Sequence, residues 1–197
     1  MRFSLKYEGE LKSTTDRNTR VKHKNRLRWH FSDQLDELMM RGDFTRMPRH
    51  ESDVVKPIDD KGFRIHSTKI SGQDFEQVWY IPVIDRTLNI SCSLHVRIDR
   101  PERPGSLFER GGENGGDLDN RIKTLLDALR VPHNVNEARR SETRPDLNFC
   151  VCLFDDDSMV TSLYIETRPS LRPLPRGHVE LTIDVEIRAH DLTFDPE

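Results

Sequence analysis

The stretch Leu88-Asn89-Ile90-Ser91-Cys92-Ser93-Leu94-His95-Val96-Arg97-Ile98 alternates apolar and polar side chains without a break. A period of two puts successive side chains on opposite faces, so this segment reads as a strand with one buried and one wet face. Val179, Leu181, Ile183, Val185 and Ile187 repeat the pattern near the other end of the chain. Residues 1–11 suit a first strand, and 78–84 a strand in the middle. Residues 63–70 and 78–84 flank Ser71-Gly72-Gln73-Asp74, whose composition suits a hairpin connection. Further on, residues 148–154, 155–158 and 159–167 read as strand, turn and strand.

Two segments carry the helical period instead. Leu27, Phe31, Leu35, Leu38 and Met39 form an apolar stripe over residues 21–41. Leu118, Ile122, Leu125, Leu126 and Leu129 form a second over 118–130, with Asp117 in the capping position. The expected fold is therefore α+β, a single domain spanning residues 1–197, with a mixed or antiparallel sheet packed against two main helices. Charge, prolines and lack of period mark 42–61 and 131–146 as loop insertions.

Composition bounds the function. The 197 residues are 34% hydrophobic and 33% charged, which describes a polar globular chain long enough to bury a core. No apolar run approaches the roughly 20 residues of a membrane span, and the opening eight residues hold no apolar block of the signal-peptide kind. A cytoplasmic location is expected. Cys92, Cys150 and Cys152 are odd in number and lie in strand-like segments, which argues for reduced, partly buried thiols. Trp29 and Trp79 read as core residues rather than base-stacking ones.

The net charge of -3 gives no encouragement to nucleic-acid binding, but its distribution does. In the arm 12–28, Lys12, Arg17, Arg20, Lys22, Lys24, Arg26 and Arg28 face only one acid, Asp16. Such an arm can neutralise phosphates, and a solvated helix face explains it equally well.

The chemistry concentrates in two acidic clusters. Gly116-Asp117-Leu118-Asp119-Asn120-Arg121-Ile122-Lys123 opens the second helix, and Asp155-Asp156-Asp157 occupies the expected turn. On a helix Asp119, Lys123 and Asp127 share one face at i, i+4 spacing. Carboxylates are the ligands that Mg²⁺ and Mn²⁺ prefer, and no neighbouring Cys or His pair offers zinc a softer set. An EF-hand is excluded, because the fifth and sixth positions from Asp117 hold Arg121 and Ile122. Each element also has a plain structural reading: an N-cap, a surface ion pair and a hydrated turn.

The string GDLDNRIKTLLDAL, followed by DDDSMV leading into a strand, resembles the RusA family of Holliday junction resolvases. The resemblance covers about residues 88–190 and includes the closing alternating strand after Arg176-Gly177-His178. It implies a RusA-like fold and a Mg²⁺-dependent endonuclease, with Mn²⁺ able to substitute, cutting four-way DNA junctions as a homodimer. It further implies Asp117, Asp119 and Asp157 as metal ligands, Asp156 as the neighbouring candidate, and Lys123 as an essential lysine. Asp155 is an extra acid in this pattern. Arg17, Arg20, Lys22, Lys24, Arg26 and Arg28 become the expected DNA contacts. A non-catalytic DNA-binding dimer of the same fold and a Mg²⁺-dependent phosphohydrolase acting on nucleotides are the alternatives. No phosphate-cradling glycine motif supports the latter.

Overall fold

A computed structural model describes residues 1–12, 17–40, 73–75, 78–86, 90–101, 118–138, 147–175 and 177–189. Outside these lie the expected strand at 63–70, the insertion at 42–61, Gly116 and Asp117 of the first acidic cluster, and much of 131–146. Side chains of residues 17–19, including that of Arg17, are likewise outside the description.

The fold is α+β. Its elements are β1 (Arg2–Glu10), α1 (Arg17–Met40), β2 (Gln73–Phe75), β3 (Val78–Ile84), β4 (Ile90–Arg100), α2 (Leu118–Leu129), β5 (Phe149–Phe154), β6 (Val160–Pro169) and β7 (His178–Ala189). Strands β1-β7-β4-β6 form one sheet in that order, and β2-β3-β5 a second. β7 lies antiparallel to both β1 and β4, whereas β4 and β6 run parallel. The alternation read from the sequence sets the faces. Leu94, Val96 and Ile98 of β4 are buried with Leu181, Ile183 and Val185 of β7, while His95, Arg97, Thr182 and Asp184 face the other way.

α2 turns Ile122, Leu125, Ala128 and Leu129 into the same core. It ends before Val131-Pro132, where proline cannot continue the backbone hydrogen bonds. α1 begins four residues before the expected start, so most of the basic arm is helical. Its buried face mixes Leu27, Phe31 and Leu35 with His23, Lys24, Asn25, Arg28 and Ser32. The sequence stripe therefore captured only the apolar part of what this helix buries.

Two connections differ from expectation. Gln73 and Asp74, expected in a hairpin turn, belong to β2, whose Phe75 pairs with Val78. Only residues 76–77 separate these strands. Residues 155–158 likewise do not close a hairpin, because β5 and β6 join different sheets. β3 and β5 run parallel in the second sheet, and the chain crosses after each of them into the first, where β4 and β6 again run parallel. A bulge marks the far end of this crossing: Thr161 is the extra residue, and its hydroxyl donates to the Cys92 carbonyl at 3.2 Å.

The three cysteines are free and fully buried, deeper than expected. Burial pushes the Cys92 thiol up to about 12, so it stays protonated at neutral pH. Trp29 is buried as expected, but Trp79 is not. Val78 and Tyr80 take the inward positions of β3, and the alternation leaves Trp79 exposed.

Candidate active site

Two charged regions meet the ends of α2. At its first turn stands Asp119, where the helix dipole favours a carboxylate. Lys123 Nζ lies 2.7 Å from Asp119 Oδ2, and both side chains are largely exposed, at 67% and 62%. This is the i, i+4 pair that the sequence led us to expect. Asp117 lies outside the described residues.

Asp127, one turn further along the expected polar row, is drawn inward instead. Lys24 Nζ reaches its carboxylate at 3.1 Å, and the Arg130 guanidinium reaches it at 3.1 Å. Arg28 has only 1% of its surface exposed and caps the end of α2 from within. It donates to the carbonyls of Asp127 at 2.7 Å and Arg130 at 3.3 Å, and to the Asn25 side-chain oxygen at 2.8 Å. Carbonyls in the last turn of a helix have no partner within it, and a cation is favoured there. Arg130 also pairs with Glu137 at 3.1 Å. Burial opposes ionisation of Glu137, but Arg130 and Lys24 outweigh it and hold the carboxyl below its usual range.

Lys24 and Arg28 are therefore corrected from DNA contacts to structural residues, since both are buried and bonded inside the protein. Arg20, Lys22 and Arg26 remain on the exposed side of α1. Arg26 sits 3.6 Å from Glu10.

The acidic triplet lies at the crossing between sheets. The Asp155 amide donates to the carbonyl of Ile84, the last residue of β3, at 3.0 Å, continuing the β3–β5 ladder one residue past β5. Its carboxylate accepts from Arg86 Nε at 2.5 Å. Asp156 caps a short 3-10 turn, Asp157–Met159, by accepting from the Ser158 amide at 3.0 Å. Hydrogen bonds from Ser158 hold the Asp156 carboxyl below its usual range, with help from His133 and Arg86. The His133 ring nitrogen stands 4.0 Å from Asp156. Asp157 is exposed.

Arg86 and His133 were not singled out by the sequence. The only signal for Arg86 was its place in Asp85-Arg86, directly after a buried strand. Nothing local connects it to a triplet some seventy residues away.

Arg130 pairs with Phe154, and the Val131 amide donates to the Phe154 carbonyl at 3.0 Å. The last turn of α2 is thus joined to the residue that precedes the triplet. Asp119 stands about 16 Å from Arg130 along the helix axis, at 1.5 Å of rise per residue. Among the described residues, no three His, Cys, Asp or Glu side chains form a group that could hold a metal ion. No helix among them is long and apolar enough to cross a membrane. The chain matches no family model, no curated protein and no solved structure.

Carboxylate oxygens are the donors that a hard divalent cation takes, and the two acidic clusters stand toward opposite ends of α2, Asp119 at its first turn and the triplet just beyond Phe154 at its last. Asp119 and Asp157 offer exposed carboxylate oxygens, and Asp156 is held ionised. The buried, protonated Cys92 offers no thiolate for a soft ion.

Proposed function

We propose that this chain is a Mg²⁺-dependent, structure-selective endodeoxyribonuclease of the kind its sequence resembles. It acts in the cytoplasm as a homodimer on four-way DNA junctions. The observation that supports this reading is the paired motif: the sequence DLDN followed by Lys123, in register with Asp119 on the exposed start of α2, and an aspartate triplet just after β5 of which Asp157 is exposed. The proposed metal ligands are Asp117, Asp119 and Asp157, with Asp156 beside them. Mg²⁺ is commonly held by one or two carboxylates plus waters and substrate phosphates, so a preformed cage of three carboxylates is not a requirement.

The chemistry that a bound Mg²⁺ supplies is polarisation of the scissile phosphate and a lowered pKa for the attacking water. Lys123 places an ammonium on the same exposed surface as Asp119, where it can offset charge developing on the phosphate. Arg20, Lys22 and Arg26 offer backbone contacts, which fix position and carry no sequence information.

The test compares cleavage of a synthetic four-way junction, a flap and a linear duplex, with Mg²⁺, with Mn²⁺ and with neither. Junction cleavage that requires the metal is expected. Asp119→Asn should reduce it on the order of a thousandfold with junction affinity largely kept. Full activity in that variant would remove Asp119 from the site. Binding without cleavage by the unmodified chain would favour the non-catalytic dimer.

A further inference from the structure

We propose that Arg86 is a phosphate-binding residue beside the aspartate triplet and that Asp155 is its positioning partner, an inference that rests on the nuclease reading. The triplet contains one more acid than the resembled pattern uses, and the structure gives that acid a different occupation. Asp155 is held from two sides, through its amide on Ile84 and through its carboxylate on Arg86 Nε. Its side chain is only 16% exposed, whereas that of Arg86 is 64% exposed. The pair therefore has a shielded anchor and an open head.

A guanidinium gripped through Nε keeps its two terminal nitrogens for another acceptor, and their planar fork matches two oxygens of a phosphate. The grip also removes much of the rotamer freedom that a long side chain otherwise loses on binding. Arg86 stands two residues after β3 and Asp155 directly after β5, on parallel neighbours, so the guanidinium sits at the crossing close enough to Asp156 for their charges to interact. Three consecutive carboxylates repel a phosphate. A fixed cation beside them lets the DNA backbone approach to the distance that metal-assisted hydrolysis needs. Asp155 thus orients the cation, leaving Asp156 and Asp157 for the metal.

The experiment measures affinity of the full chain for a synthetic four-way junction across a KCl series in Ca²⁺, together with cleavage in Mg²⁺ and thermal melting. Arg86→Ala should lower the slope of log K against log salt by about 0.9, the loss of one phosphate contact. Referred to 1 M salt, that is about an eightfold weaker affinity at 0.1 M. Arg86→Lys should restore the slope, and Asp155→Asn should keep it while weakening binding roughly threefold. If Arg86 only staples the crossing, Arg86→Ala and Asp155→Asn will lower the melting temperature together with the slope unchanged, and the proposal falls. A chain that cuts in Mg²⁺, loses cutting with Asp119→Asn and keeps its slope with Arg86→Ala overturns this inference alone. A wild type that neither binds nor cuts overturns the nuclease reading and this inference with it.

Discussion

The cluster around Asp127 and the cluster around Asp155 are both dense in charge, yet they are built in opposite ways. Around Asp127, Lys24, Arg28, Arg130 and Glu137 are turned toward one another and toward the carbonyls that end α2. Around Asp155, two carboxylates are engaged, Asp155 by Arg86 and Asp156 by the Ser158 amide, while Arg86 and Asp157 face water. Buried charges must find partners inside the protein, and doing so consumes their capacity to bind anything else. Exposed charges keep that capacity and contribute little to stability. The first cluster holds the fold together, and the second is free to meet a ligand.

The widest gap between the clusters should appear on removing the buried cation. Arg28→Ala is expected to destabilise the protein by about 4 kcal/mol, because it orphans carbonyls at the end of α2 and breaks a buried charged network. Arg20→Ala, on the exposed side of the same helix, should change stability by less than about 0.5 kcal/mol. Urea unfolding with unchanged slope would show both, and equal effects would erase the distinction between inward and outward cations on α1.

A smaller effect comes from another buried base on α1. His23 accepts from the Lys12 amide at 3.1 Å. Burial, then Arg26 and Lys12, push its pKa from 6.5 down to about 4. The unfolded chain takes up this proton near pH 6.5 and the folded chain near 4, so between those values protons bind preferentially to the unfolded state. Stability should therefore fall as pH drops through that window, by up to about 3 kcal/mol. His23→Gln keeps an acceptor for the amide and cannot titrate. Urea midpoints measured from pH 7 to 4 should lose this component in the variant, and an unchanged profile would assign it to other groups.

The smallest expected change in free energy concerns the exposed pair. Lys123→Ala should lower junction turnover by about a hundredfold, with stability and junction affinity changed only slightly. Steady-state kinetics beside binding in Ca²⁺ would separate the two. An equal loss in turnover and affinity would make Lys123 a binding residue like those of α1.

These contrasts explain what could be read in advance. β4 and β7 were legible because each has one buried and one wet face, and a strict period of two has no other common source. α2 was legible by the same logic at the helical period. Asp119 and Lys123 were legible as a pair because four residues of helix suffice to join them. Arg28 was not, since a charged residue on a helix reads as solvated unless something distant covers it. The crossing at Asp155 was not legible either. Strand, acidic turn and strand is the local signature of a hairpin, and only the pairing of β5 with β3 and of β6 with β4 separates the two strands.

The sequence by itself determined the longer elements and the buried faces of β4, β7 and α2, and it marked the residues expected to carry metal and phosphate chemistry. All of these depend on spacings of a few residues. Tertiary structure alone decided which charges turned inward, which strands became neighbours, and that Arg86 stands beside Asp155. Those outcomes depend on contacts between segments some seventy to a hundred residues apart, where burial and unpaired backbone groups set the energy and local pattern carries no record of them.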